Sequence, residues 1–284
     1  MFSRRWIINY VLVILIVIFT YVGNKFDVKT GYQPQQNVIG LKPENIESVE
    51  IQTADKDLAF KRNNGSWMLE SPIRWPANDV NVERLLTIAS VETDSRLAAN
   101  EIDLATLGLK FPKAILRLND TEVLFGATNN IGARRYIMVG STVFLLPDQH
   151  LPFITQGLTA MVDRRLLPRT DELTIFKLPG FEISRDDNNT WQLTDANGFD
   201  QGQIATLVEN WQSLEASRVK LFAANKMPQQ KIKVMFADGQ NQEFFVMSID
   251  PEIIIANPQI GLQYHFPAEL YYQLISLRAD EISG

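Results

Sequence analysis

The chain has 284 residues, 45% apolar and 21% charged, with a net charge of −6 and no cysteine. This balance supports a real hydrophobic core rather than disorder. The acidity and the lack of any Lys/Arg-rich stripe argue against a nucleic-acid partner. Without cysteine there can be no thiolate zinc site, iron–sulfur cluster, cysteine nucleophile or lipid-modified cysteine.

Trp6 to Val22 reads WIINYVLVILIVIFTYV, with only Asn9 and Thr20 clearly polar. At about 1.5 Å per residue, this run and its flanks reach roughly the ~30 Å hydrocarbon thickness of a bilayer. Trp6, Tyr10 and Tyr21 lie near its ends, where amphipathic rings favour the interface. Arg4 and Arg5 precede the run, so the positive-inside bias predicts a cytoplasmic N-terminus with the rest of the chain across the membrane. The segment after the run lacks a small-x-small cleavage site, which favours an uncleaved anchor. These features predict a single-pass membrane protein touching the bilayer through this helix, with its body across the membrane; the lack of cysteine is compatible with a body in the bacterial periplasm, held at the inner membrane. Residues 1–23 are then the cytoplasmic tip and transmembrane helix, and 24–43, broken by Gly and Pro, a linker.

The remainder divides into two stretches, 44–166 and 167–284, with one shared pattern. In the first, strands are expected at Ile46–Ile51, Leu58–Arg62 and, after the turn Asn63-Asn64-Gly65-Ser66, Trp67–Leu69. Asn78-Asp79 is expected to cap a helix whose Val82, Leu85, Leu86 and Ala89 face a sheet. In the second, strands at Leu173–Phe176, Phe181–Arg185 and Thr190–Leu193 precede a helix with Ile204, Leu207, Val208 and Trp211 in the matching places. Both helices are expected to run into similar text, ending at Arg96 and Arg218. Hairpins at Ala114–Phe125 and Ile232–Met247, two further strands and a short apolar helix complete each stretch. The expected fold is α+β: an N-terminal transmembrane helix followed by two tandem, mainly antiparallel α+β repeats.

The Trp-x-Leu hairpin, the proline-containing loop, the Ser-Arg step and Leu107-Gly108-Leu109 before Pro112 resemble a bacterial extracytoplasmic domain family of unknown function. Members of that family often carry one N-terminal anchor and a duplicated extracytoplasmic part. Some are associated with ABC transporters of the gliding-motility type. The resemblance implies an accessory role at an envelope complex and carries over no catalytic residue. The second stretch has Asn225-Lys226-Met227-Pro228 where the first has the Leu-Gly-Leu motif, so the match is weaker there.

No catalytic, cofactor-binding or metal-ligating set is expected. His150 and His265 lack partners at ligand spacing, and no serine elbow or phosphate loop occurs. The acidic pairs Asp55/Asp57 and Asp186/Asp187 lie at turns, where Asp favours the required backbone geometry. The residues singled out as possible partner contacts are Trp75, expected to be exposed, and the basic pair Arg134 and Arg135. The function expected is that of a non-enzymatic accessory or scaffold subunit of an inner-membrane complex, with the other subunits as partners. The alternative is a lipid- or small-ligand-binding module with a sizeable apolar pocket between the repeats.

Overall fold

The computed structural model describes residues 35–129, 132–168, 173–186, 188–194, 201–224 and 226–277. The expected transmembrane run 6–22, with Arg4 and Arg5, lies outside them. No helix among the described residues is long and apolar enough to cross a membrane.

The body is sheet-rich α+β and its strands pair antiparallel. In chain order the first part has β1 (Gln36–Asn37), β2 (Ser48–Thr53), β3 (Asp57–Asn63), β4 (Ser66–Ser71), β5 (Trp75–Pro76), helix α1 (Asp79–Leu86), β6 (Glu92–Thr93) and β7 (Arg96–Ala98). It continues through β8 (Ala114–Leu118), β9 (Thr121–Thr128), β10 (Arg134–Val139), β11 (Thr142–Pro147) and the short helices α2 (Leu151–Ile154) and α3 (Leu158–Met161). The second part has β12 (Leu173–Leu178), β13 (Phe181–Arg185), β14 (Trp191–Leu193), α4 (Gln201–Ser213), β15 (Arg218–Leu221), β16 (Gln230–Phe236), β17 (Asn241–Ser248), β18 (Glu252–Asn257), β19 (Leu262–Pro267) and α5 (Tyr271–Leu274).

The larger sheet runs β5-β4-β3-β2-β8-β9-β10-β11-β7 and the other β14-β13-β12-β16-β17-β18-β19-β15. Leaving aside β5, the two orders correspond strand for strand. Alternation drives the strands. In β8, Ala114, Leu116 and Leu118 are buried while Ile115 and Arg117 are less so, and in β16 Ile232, Val234 and Phe236 are buried while Lys231, Lys233 and Met235 are more exposed. A period of two puts one such row on the core face.

Each helix covers its sheet for a local reason. The Asn78 side chain accepts from Asn81 N–H at 3.1 Å and starts α1, which buries Val82, Leu85 and Leu86. In α4, Ile204, Leu207, Val208 and Trp211 form the buried face. The Trp211 ring meets Phe176 and Phe244 edge-on at 4.7 and 5.0 Å, and its Nε1–H donates to Leu274 O at 2.7 Å. Each such aromatic pair adds about 0.5–1.5 kcal/mol beyond simple burial.

The helices stop earlier than expected. After α1 the chain makes one 3-10 turn, Thr87–Ser90, and leaves the helix; Arg96 and Arg218 instead begin the edge strands β7 and β15. Thr93-Asp94-Ser95 are poor helix formers. The ladders to β11 (Arg96 opposite Phe144) and to β19 (Arg218 opposite His265) give these segments a better set of partners. The end of the expected linker also differs, because β1 pairs with β6 and Val38 and Ile39 are buried in the first unit.

Between the sheets the chain is not a loose hinge. Met161, Val162, Leu166 and Leu167 are buried, and one hydrophobic cluster runs through both units. The connector is stitched to both sides: Asn78 N–H donates to Met161 O (2.8 Å) and Asp163 N–H to Pro76 O (2.9 Å). Leu167 N–H donates to Trp211 O and Ala216 N–H to Arg164 O, both at 2.9 Å.

Candidate functional site: the cleft at the join

The strand that breaks the correspondence of the two sheets is also the one that builds a cleft. β5 pairs with β4 through Leu69 opposite Trp75 and leads directly to Ala77, which bridges to Val162 of the connector. Beside it opens a cleft of about 770 Å³, within the size range of small-molecule sites. Its walls come from the β3–β4 turn (Asn63, Asn64, Ser66), from Arg74 and Trp75, from Asp163 and Arg165 of the connector, from Gln240 just before β17 and from Gln242 within it. The alternative reading expected an apolar pocket. This lining is mainly polar, because turns and strand ends reach the join, whereas each unit's apolar rows already pack on its own helix.

Trp75, expected as an exposed contact, is only 3% exposed. The β4 ladder holds one side of its strand and the connector the other, so the ring is packed into the join. Its buried Nε1–H lies toward the Tyr264 hydroxyl. Across the join, Gln242 is 7% exposed, and its Oε1 and the Asn257 Nδ2 on the same inner face of the second sheet are buried without a hydrogen-bond partner. Burial pushes the Tyr264 phenol far above its usual range and the charge of Asp163 adds to this, while a hydrogen bond from the Trp75 indole N–H acts in the opposite sense.

The charges of the cleft are largely matched within it. Asp163 accepts from the Arg165 backbone N–H at 2.9 Å and pairs with the Arg165 guanidinium, which its hydrogen bond holds above its ordinary value. Arg74 faces Glu70 at 3.5 Å, and Asp79 accepts from Trp67 N–H at 2.7 Å.

The basic pair separates. Arg135 is 4% exposed: its Nε donates to Asp148 Oδ1 at 2.7 Å, its Nη2 to Asp148 Oδ2 at 2.5 Å, and its Nη1 to Gly126 O. A buried guanidinium so fully engaged has a structural role and no free face for a partner. Arg134 is half-buried at the start of β10, opposite Pro147, and no ion pair holds it among the described residues. Arg164 and Arg165 pair with Glu215 and Asp163. Neither Arg134 nor Arg135 lines the cleft beside Trp75.

His265 is buried, with Nδ1 at 2.9 Å from Glu252 and Nε2 at 2.8 Å from the Gln263 amide. Burial above all lowers its pKa, and Glu252 is held below its usual range first by its hydrogen bond to that ring. Among the described residues no group of three or more His, Cys, Asp or Glu side chains is placed to hold a metal ion.

Sequence reasoning missed Asp163, Gln242, Asn257 and Tyr264. A signal was present for three of them. Gln242 precedes Phe244 and Val246, Asn257 follows Ile253 and Ile255, and Tyr264 sits between Leu262 and Phe266, so each is a polar residue at an inward position. Local and global rules conflict at functional or strained positions more than elsewhere.

Fold and cleft thus define a sheet-rich α+β protein with a polar site at the join of two like-ordered sheets. The chain belongs to the family described as Domain of unknown function (DUF4340), whose profile matches residues 67–243, more than half of its length. No curated protein and no solved structure matches it.

Proposed function

We propose that this chain is a non-enzymatic accessory or scaffold subunit of a bacterial inner-membrane complex, held by the 6–22 helix with its N-terminus in the cytoplasm and its body in the periplasm. The two units are tandem copies of one α+β unit, a reading supported by the corresponding strand orders. An ABC-transporter-type assembly is the kind of complex the resemblance implies.

One observation carries the scaffold reading. Phe111 is 82% exposed and Met227 93% exposed. Each follows a lysine, precedes a proline, and leads into the strand at the same place in its sheet, β8 in one and β16 in the other. Large apolar side chains standing in water at matching places are suited to being covered by another surface. Lys110 Nζ lies 5.9 Å from the Phe111 ring centroid, leaving a cationic rim beside the apolar tip. Attachment to the membrane would confine the protein to two dimensions and raise its effective concentration beside other membrane subunits.

The test is crosslinking and affinity purification with mass spectrometry from gently solubilised native membranes, for the natural chain and for Phe111→Ser with Met227→Ser. Defined membrane subunits should co-purify with the natural chain and be depleted with the variant. A natural chain that comes out alone, or partners indifferent to both substitutions, would refute the reading.

A further inference from the structure

We propose that the tips carrying Phe111 and Met227 are received by two like sites on a pair of identical partner subunits, each site an apolar pocket rimmed by carboxylates. This rests on the scaffold reading and names the kind of partner it requires.

Register makes the two tips equivalent. Lys113 N–H donates to Phe125 O at 2.8 Å, and Gln229 N–H donates to Val246 O, also at 2.8 Å. Phe125 stands opposite Ala114, the first residue of β8, and Val246 opposite Gln230, the first residue of β16. Phe111 and Met227 are thus each the third residue before the same point of their sheets, and the same backbone bond fixes both. Between tip and bond lies a half-buried proline, Pro112 in one and Pro228 in the other. Proline fixes its own φ and holds the residue before it extended. Each tip is therefore set before anything binds, which lowers the ordering cost of contact.

Such coincidence is not general among the exposed apolar side chains. Leu97 is exposed and stands opposite Val143, the second residue of β11, but Lys220 stands opposite Gln263, the second residue of β19. Leu221 is exposed opposite Leu262, the first residue of β19, and the matching place opposite Thr142 holds Ala98. The sheets differ at these edges and agree at the tips. A chain that offers one element twice is matched by a partner that offers its receptor twice, and a two-fold pair of identical subunits is the commonest such partner. Once the first tip is seated the second binds intramolecularly, so two modest contacts give a firm attachment.

Charge supplies the rim. Lys110 and Lys113 flank the first tip and Lys226 precedes the second, all of them exposed. Complementary potentials across an interface then call for Asp or Glu around each pocket.

The test places the photo-crosslinker p-benzoylphenylalanine at position 111 or at position 227 of the full chain in native membranes. Both positions should capture the same subunit through the same segment, one that contains Asp or Glu. Native mass spectrometry of the purified complex should show two copies of that subunit per chain. Phe111→Ser alone and Met227→Ser alone should each speed its release about a hundredfold, the loss of two-point attachment. Thermal melts check that each variant is folded, and the crosslink map and copy number need neither substitution. Two different subunits, unrelated segments, a segment without a carboxylate, or one copy per chain overturns the proposal and leaves the scaffold reading standing. Release unchanged by either single substitution also overturns it, as does capture of lipid or of a second copy of this chain. A chain that captures nothing at either position and purifies alone overturns both readings.

Discussion

Replacing Gly126 with alanine tests how the Leu107-Gly108-Leu109 loop is seated. A Cβ at residue 126 would lie 2.4 Å from Leu107 O and 2.9 Å from Leu109 Cδ2, well inside van der Waals contact. Leu107 O cannot simply retreat, because it accepts from Ala127 N–H at 2.8 Å. Forcing a methyl into a packed site costs about 1–3 kcal/mol, and loosening that hydrogen bond about 1 more. A gain of about 0.4–1 kcal/mol comes from the stiffer unfolded chain. The net loss is about 2–3 kcal/mol, and at roughly 2–4 °C per kcal/mol for a chain of this size Tm should fall by about 5–10 °C. Gly140→Ala is the control. Its φ of +56° strains an alanine, but nothing lies within 4 Å of the new Cβ, so its loss should be about 1 kcal/mol. Calorimetric melts of both variants decide the matter. A Gly126→Ala melt within a degree of the natural chain, or equal to that of Gly140→Ala, refutes the reasoning. The same loop leads to Phe111, so its seating also sets where that exposed ring stands.

Other substitutions probe the rest of the frame. Arg135→Met strands the Asp148 carboxylate and Gly126 O and should cost about 3–5 kcal/mol in urea titrations, while adding Asp148→Asn should recover part of the loss rather than add to it. Trp211→Phe keeps much of the apolar bulk but removes the donor to Leu274 O; a loss of about 1–3 kcal/mol, with faster hydrogen exchange in α5, is expected. Burial holds His150 below its ordinary 6.5, with the charge of Asp148 acting the other way. The folded chain therefore binds fewer protons than the unfolded one between those two values, and stability rises with pH across that window. The His150 contribution is complete above 6.5 and is lost as pH falls through the lowered value. Urea midpoints measured at about pH 7 and about pH 5 should differ less in His150→Gln than in the natural chain.

The strands were legible in the sequence because a period of two is a strong local signal where one face is buried. Ala114 to Leu118 and Ile232 to Phe236 show it plainly, and Asn78 marks the start of α1 through its capping side chain. What local pattern could not show was the partner each segment would prefer. Arg96 and Arg218 follow helical text, yet they pair with strands that lie far along the chain. Trp75, next to Arg74 and Pro76, has the composition of an exposed loop, and only the docking of the connector at Val162 and Asp163 buries it. The cleft was hidden for the same reason. Its residues come from four separated segments, and the inward positions of Gln242 and Asn257 acquire meaning once their strands' register is known.

The edge strands also impose an order of events on synthesis. β15 leaves the ribosome well before β19, the strand that receives it, so Val219 and Leu221 wait without a ladder until Leu262 to His265 arrive. Trp211 waits longer, for the carbonyl of Leu274. The second sheet thus cannot close progressively behind its own emergence; its completion is deferred until β19 and Leu274 have been made. During that interval the nascent chain carries an open, partly apolar edge, the kind of surface on which holding factors act and through which neighbouring chains join.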